Sequence, residues 1–359
     1  MINKFLDLDW YLMTPVFILI AFSLTTLFSI NPVFMKSQII FLIVSLLAFL
    51  LFSNANIKIF RMYSIPIYIT SIILLALVFI VGIESRGSLR WIEIFGFRIQ
   101  FSEILKPFLA ISLASFVSDK RVFDFKALFK IFVLLLPVAL LIFLQPDLGS
   151  ALIYGLVVLC LTLYLGFSLK YYAFFSISFL LIAPIFWNIL HEYQRHRILT
   201  FLDPSKDPLG TSYNVIQSVI AVGSGMLIGK GLGLGTQSGL RFLPERHTDF
   251  IFATLSEQLG FVGSILVLIC FGFFLYRIYR KSQNLNDKFG KIFLSIVFFA
   301  FLVQAFVNIG MNIGILPVVG VTLPFVSYGG SSLLSNFIFL GLLVAVGKSL
   351  NTREVLEIK

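Results

Sequence analysis

Between His191 and Phe250 an otherwise apolar chain turns polar, and that stretch holds all three histidines, six of the Lys and Arg residues and the run Arg246-His-Thr-Asp249. An aspartate beside Arg246 and His247, at the point where the sequence becomes apolar again, has two ordinary uses. As an N-cap, Asp249 or Thr248 would start the following helix. As a general base, Asp249 would have its pKa moved up by desolvation or down by the neighbouring cations. Spacing alone leaves both readings open.

Other polar groups stand inside or beside apolar runs. Glu103 and Lys106 are three apart, so on a helix they share a face. They form either an ion pair that makes a helix end tolerable in lipid or, for the deeper Lys106, a group facing a cavity. Ser102 is placed to cap that helix, with Pro107 in its first turns. Asp147, in Gln145-Pro-Asp-Leu-Gly149, has ordinary N-cap placement. Glu257, in Ser256-Glu257-Gln258, puts a carboxylate within an apolar run and implies a bundle interior or cavity. Ser327-Tyr-Gly-Gly-Ser-Ser332, with Pro317, Gly320 and Pro324 before it, is irregular backbone between two apolar runs. Such backbone is tolerated at membrane depth only when buried in protein or lining a wet cavity. Gly229-Lys-Gly-Leu-Gly-Leu-Gly235 fails as a phosphate loop, because Gly231 stands where Ser or Thr is required and no strand precedes it. It reads as a flexible turn.

The elements that must position these groups are membrane helices. The chain has 359 residues, of which 59% are hydrophobic, 12% charged and 42 are Phe, with mean hydropathy +1.01. Soluble domains carry about a quarter charged residues. Repeated runs of the length needed to cross a bilayer core about 30 Å thick predict an all-α polytopic integral membrane protein. Ten spans are predicted, at about 11–30, 37–53, 63–82, 104–118, 128–145, 149–168, 171–190, 251–277, 291–312 and 329–347; those starting at 104 and 128 are the shortest-fitting. The whole chain, 1–359, reads as one transmembrane domain, with 191–250 as a large extracytoplasmic segment between spans seven and eight. The first run lacks a small-residue cleavage site and reads as a retained helix. Cys160 and Cys270 lie in separate apolar runs and read as packing residues, with no disulfide or metal site.

Net charge is +10, but the basic residues cluster between apolar runs instead of forming a nucleic-acid-binding stripe. With both termini cytoplasmic, the inner segments hold Lys58, Arg61, Lys120, Arg121, Lys126, Lys130, Lys170, Arg277, Arg280, Lys281 and Lys288, while the short outer loops hold only Lys36. That bias follows the positive-inside rule. The exceptions are 86–106, read as a short hairpin or interfacial piece containing Arg90-Trp91 and Gly96, and 191–250, where Arg195 and Arg197 sit and Tyr213–Ile228 has the spacing of an amphipathic helix. Cations, carboxylates and a Gly-Ser loop on one face of a helical bundle suit a lipid-linked anion, a diphosphate for the Arg and Lys side chains.

Several blocks carry a family resemblance: Arg90-Trp-Ile, Phe97-Arg-Ile-Gln-Phe-Ser-Glu103, Gln145-Pro-Asp-Leu-Gly-Ser-Ala-Leu152, Gln217-Ser-Val-Ile-Ala-Val-Gly-Ser-Gly225, Phe242-Leu-Pro-Glu-Arg-His-Thr-Asp-Phe-Ile-Phe252 and Leu323-Pro-Phe-Val-Ser-Tyr-Gly-Gly-Ser-Ser332. Long, in order and spread along the chain, they resemble the SEDS (shape, elongation, division, sporulation) peptidoglycan polymerases. Gly235-Thr-Gln-Ser238 and Asn308-Ile-Gly-Met-Asn-Ile-Gly-Ile-Leu-Pro-Val-Val-Gly320 are similar to the elongation branch more than the division branch.

The resemblance implies a peptidoglycan glycosyltransferase that polymerises lipid II into glycan strands on the outer face of the bacterial cytoplasmic membrane, with inversion and release of undecaprenyl pyrophosphate. The family's essential aspartate falls on Asp249, as general base for the acceptor hydroxyl. Its matching positions Arg98, Gln100, Glu103, Lys106, Asp147 and the loop containing Ser327, Tyr328, Gly329 and Ser331 imply contacts to pyrophosphate or sugar, with Arg195 and Arg197 as further phosphate candidates. Arg241 departs from the family pattern, which has Glu or Asn before Phe-Leu-Pro. The implied partners are lipid II, the growing glycan strand, membrane lipid and a class B penicillin-binding protein transpeptidase, and no nucleic acid. Carboxylates near a pyrophosphate leave room for Mg²⁺ or Mn²⁺, with no ligand set assigned. Two other classes fit the same architecture: a lipid II flippase, which predicts charges near the membrane midplane, and a non-catalytic scaffold for cell-wall enzymes.

Overall fold

The computed structural model describes residues 9–85, 88–94, 96–120, 123–189, 195, 199, 203 and 212–356. Helix starts follow local chemistry. Asp9 caps α1 (Trp10–Ile30) by accepting from Leu12 N, Asn31 caps α2 (Pro32–Ser53) with Pro32 in the first turn, and α3 (Ile57–Met62) leads into α4 (Ser64–Val81). Each cap oxygen satisfies an amide that the helix itself cannot. Next comes a three-stranded antiparallel sheet, β1 (Ile83–Ser85), β2 (Ser88–Ile94) and β3 (Phe97–Ile99), with Ile83 opposite Trp91 and Glu93 opposite Arg98. Its β2 and β3 form the hairpin expected within 86–106, turning at Gly96, and β1 adds a third strand.

The helix expected at 104–118 is broken into α5 (Phe101–Ile104) and α6 (Lys106–Ser118) at Leu105. Its cap is not Ser102: neither segment has a side-chain cap, and the Ser102 hydroxyl bonds to Asp147 instead. The chain continues through α7 (Phe125–Leu144), α8 (Leu148–Tyr164), α9 (Leu169–Ile189), α10 (Tyr213–Ser224), α11 (Thr236–Gly239), α12 (Ile251–Gln283), α13 (Lys288–Asn312) and α14 (Gly330–Leu356). Among the described residues seven helices, α1, α2, α4, α7, α12, α13 and α14, are long and apolar enough to cross a membrane; α6, α8 and the Leu169–Pro184 part of α9 are shorter apolar helices. α7, expected to be marginal, has full spanning length, and α8 is shorter than its expected span. Cys270 is buried and Cys160 half-buried, both as free thiols.

Burial sets the layering. The apolar windows of α13 and α14 are 72% and 83% buried, against 17% for α2 and α4, so the first pair forms the centre and the second faces outward. Phe325, in the loop between α13 and α14, is 1% exposed and packs its ring 5.3 Å from Phe301, 5.6 Å from Phe274 and 6.1 Å from Phe337. Its φ of 64° is a left-handed conformation, which costs an L-residue roughly 1–2 kcal/mol. Burial of the ring offsets that cost and nails the loop to the core.

The longest helix, α12, breaks at Gly260, where φ is 66° and ψ is −162°. The freed groups are matched by the segment after α10. Lys230 N and Gly231 N donate to the carbonyls of Glu257 and Gln258, and Phe261 N and Val262 N donate to those of Met226 and Leu227. A side chain at Gly260 would strike Gly229 N at 2.3 Å. The glycine run read as a flexible turn is therefore a brace across a helix break. Glu257, fully buried, accepts from Gln237 N and Ser238 N at 2.8 Å and from Lys230 Nζ at 3.4 Å. Its carboxylate holds α11 from the bundle interior, one of the two settings expected from its place in an apolar run.

At the opposite end of the bundle Asp9 binds Arg277 at 2.9 Å and Lys281 at 3.1 Å. Burial pushes the Asp9 carboxyl up, but the hydrogen bonds and charges of Arg277 and Lys281 outweigh it and hold it below its ordinary 3.8. A depressed folded pKa gives stability that is present above the unfolded value and lost as pH falls through the folded one. Because the pair is partly exposed, its value is discounted to about 0.2–1 kcal/mol. Melting temperatures in detergent are expected to fall slightly for Asp9→Asn at neutral pH, with the gap to wild type closing in acid below the folded pKa. Phe325→Ala is expected to cost about 3–5 kcal/mol; an unchanged melting temperature would show that the loop is held by other contacts.

Candidate functional site

Asp249 is positioned by backbone. The cap residue of α12 is Phe250, with no side-chain cap bond, so neither Thr248 nor Asp249 starts the helix in the way their types allow. The Asp249 carbonyl instead accepts from Asn308 Nδ2 at 3.0 Å and Asn312 Nδ2 at 2.9 Å, both from α13. Its side chain lines a cavity of ≈ 550 Å³. A β-carbon on Gly320 would lie 3.5 Å from Asp249 Oδ2, so the loop passes directly beside the carboxylate.

That cavity has three walls. One is Glu245, Thr248 and Asp249. The second is the loop and the start of α14, contributing Gly320, Thr322, Tyr328, Gly329, Ser331 and Ser332. Its shape is held from several sides. Ser327 Oγ donates to the Thr248 carbonyl and accepts from Leu323 N, both at 2.7 Å, while Tyr328 N donates to the His247 carbonyl at 2.9 Å. Gln38 of α2 donates to the Ser327 carbonyl at 3.2 Å and accepts from Gly329 N at 3.3 Å. The His247 ring stacks on Phe34, centroids 4.3 Å apart and planes 4° apart.

The third wall is the sheet and α5, contributing Arg90, Trp91, Phe97, Arg98, Gln100 and Glu103. It is anchored by Asp147, which is 2% exposed. Asp147 accepts from Gln100 Nε2 at 2.6 Å, Ser102 Oγ at 3.2 Å, Ser150 Oγ at 2.8 Å and Ser150 N at 3.2 Å, and lies 3.8 Å from Arg90 Nη1. Gln100 N donates to Ser331 Oγ at 2.9 Å, joining the second and third walls. At Gly149 a β-carbon would meet the Val319 carbonyl at 2.1 Å, so only glycine lets α8 approach the loop this closely.

The structure thus sorts the candidates. Asp249, Arg98, Gln100, Glu103, Tyr328, Gly329 and Ser331 line one cavity. Asp147 and Ser327 stand behind its walls with their oxygens engaged by the protein's own groups. Lys106 pairs with Glu103 at 2.6 Å and lines a separate, apolar crevice of ≈ 60 Å³ with Tyr154 and Ile296. Arg195 donates to the Asn188 carbonyl at 2.8 Å, and Arg197 lies outside the described residues. Arg241 lines an outer hollow with Arg246 and His247. Burial, then the charge of Arg241, lowers the pKa of the Arg246 guanidinium. No group of three or more His, Cys, Asp and Glu that would hold a metal occurs among the described residues.

With this geometry, the chain matches the cell cycle protein family FtsW/RodA/SpoVE over residues 5–352. It belongs to that family. It is 41% identical over 282 residues to the peptidoglycan glycosyltransferase MrdB of Escherichia coli, covering 78% of this chain and 76% of that one. It is 37% identical over 319 residues to a probable peptidoglycan glycosyltransferase FtsW of Geobacter metallireducens, covering 87% and 84%. Among solved structures, a chain from a study of polymerization and crosslinking by a peptidoglycan synthase complex aligns with TM-score 0.83 and 32% identity over 96% of this chain and 99% of that one. The Thermus thermophilus rod shape determining protein RodA aligns with TM-score 0.72 and 28% identity over 97% and 99%. In the FtsW/RodA/SpoVE frame, this chain is a multi-pass membrane protein.

Reading the sequence for charged motifs overlooks Gln38, Glu245, Gln304 and Thr322, and treats Asn308 and Asn312 only as family wording. The signal for Gln304, Asn308 and Asn312 is their four-residue spacing inside an apolar run, since polar groups at helical spacing in a span face the interior. Asp147→Asn would set an NH₂ group among groups that donate to the present carboxylate. It is expected to cost about 1–3 kcal/mol, read as a lower melting temperature in detergent; a wild-type melting curve would show that the anchor is dispensable.

Proposed function

We propose that this chain is a peptidoglycan glycosyltransferase that polymerises lipid II during cell elongation, with Asp249 as general base. The observation that carries the reading is the carboxylate of Asp249, on a fixed backbone, facing a cavity that also holds Arg90 and Arg98. The family membership and the names of the relatives support the same reaction. The acceptor hydroxyl gives its proton to Asp249, its oxygen attacks the anomeric carbon, and the bond from that carbon to the diphosphate oxygen breaks with inversion. Arg90 and Arg98 meet the charge on the departing diphosphate, a task suited to forked guanidinium donors.

The cavity end of the bundle is the extracytoplasmic face and both termini are cytoplasmic, because basic residues away from the cavity, Arg61, Lys120 and Lys288 joined through Asp119, Asp287 and the Lys120 carbonyl, and Arg277 and Lys281 at Asp9, follow the positive-inside bias. The membrane is the bacterial cytoplasmic membrane. A class B penicillin-binding protein is the proposed transpeptidase partner, supported by the similarity to a chain of a peptidoglycan synthase complex. A divalent cation carried by a diphosphate needs only one or two protein carboxylates, and Glu103, Glu245 and Asp249 line the cavity.

The test is polymer formation from purified lipid II by the chain with its transpeptidase partner. Wild type is expected to make glycan strands, and Asp249→Asn to lose about 10²- to 10⁴-fold in rate. Equal rates would move the base elsewhere, and no polymer from wild type would favour a flippase.

A further inference from the structure

One face of α13 carries three buried amides at four-residue spacing, Gln304, Asn308 and Asn312, which are 3%, 0% and 0% exposed. Residues so spaced lie one above another on a helix. Their partners are not scattered: all three bind the walls of the cavity.

Asn312 takes the place of a backbone bond. In an uninterrupted helix the carbonyl of residue 249 would accept from the amide of residue 253. Here Ala253 N donates to Asn312 Oδ1 at 3.0 Å, and the Asp249 carbonyl accepts from Asn312 Nδ2 at 2.9 Å. The side-chain amide is inserted between the two, holding Asp249 just outside α12. Asn308 supplies the carbonyl's second bond at 3.0 Å and gives its other hydrogen to the Val321 carbonyl at 2.6 Å. A single side chain therefore fixes the aspartate against the loop that passes its carboxylate. One turn along, Gln304 Nε2 donates to the carbonyl and hydroxyl oxygens of Thr322, both at 3.1 Å, and Gln304 Oε1 accepts from Lys106 at 3.4 Å.

We infer that the amides of Gln304, Asn308 and Asn312 form a positioning ladder that sets the Asp249 carboxylate against the loop wall at reacting distance. The inference rests on the reading of Asp249 as general base. None of the three is a catalytic residue, because none lines the cavity. The plainer role for such amides is to satisfy buried backbone. The two roles differ in what they move: loss of backbone satisfaction lowers stability wherever it occurs, whereas misplacing a base by about 1 Å costs on the order of 10²-fold in rate and acts only through that base.

The test is a double-mutant comparison in the lipid II polymerisation assay, with melting temperatures recorded for each purified full-length protein and its partner. Asn308→Ala is expected to lower kcat about 10²-fold with KM little changed, and to cause no further loss when added to Asp249→Asn. The same fractional loss in both backgrounds, or an unchanged kcat in a folded Asn308→Ala protein, would overturn the ladder. If Asn308→Ala does not fold, Gln304→Ala removes a rung without touching the Asp249 carbonyl. It is expected to lower kcat in the wild-type background and leave Asp249→Asn unaffected, and an effect on melting alone would overturn the inference. Wild-type rates from Asp249→Asn would refute the general-base reading itself, an outcome separate from additivity.

Discussion

Backbone that leaves helical geometry inside an apolar bundle must find its hydrogen bonds within the protein, and the site of this chain is built from that constraint. Two departures meet there, the start of α12 and the loop between α13 and α14, and a third, the break at Gly260, lies further along α12. The first two are satisfied by side-chain amides and hydroxyls, chiefly Gln38, Asn308, Asn312 and Ser327. The third is satisfied by a second irregular segment, 226–231, whose unmatched groups complement those of the broken helix. Each unsatisfied buried group would cost about 1–3 kcal/mol. The partners thus make irregular backbone affordable at the place where a cavity is needed.

The same constraint separates groups that build the site from groups that face it. Asp147 and Glu257 are buried carboxylates, and each is surrounded by donors from the chain itself. Asp249 lines the cavity, and its carbonyl accepts from Asn308 and Asn312.

The membrane architecture was readable from apolar run length, and the Arg246-His-Thr-Asp249 stretch from its polarity at the edge of a run. The pairing of Glu103 with Lys106 followed from their spacing. Caps were partly legible: Asp147 caps its helix by accepting from Ser150 N, but the Ser102 hydroxyl bonds to Asp147 instead, and at α12 the cap position falls on Phe250. The brace at Gly260 was not legible, since a glycine within an apolar helix carries no mark of the segment that will meet it. Asn308 and Asn312 were visible as polar residues, but their meaning lay in carbonyls on α12 and the loop, which only the fold brings within reach.

The most direct test of the account is an experimental structure of the chain with its transpeptidase partner and a lipid II analogue that cannot react. The analogue's diphosphate is expected against Arg90 and Arg98 in the ≈ 550 Å³ cavity, with an acceptor hydroxyl about 2.6–3.2 Å from the Asp249 carboxylate and the Asn308 and Asn312 amides still on the Asp249 carbonyl. An analogue bound at a different surface, with that cavity empty, would contradict it.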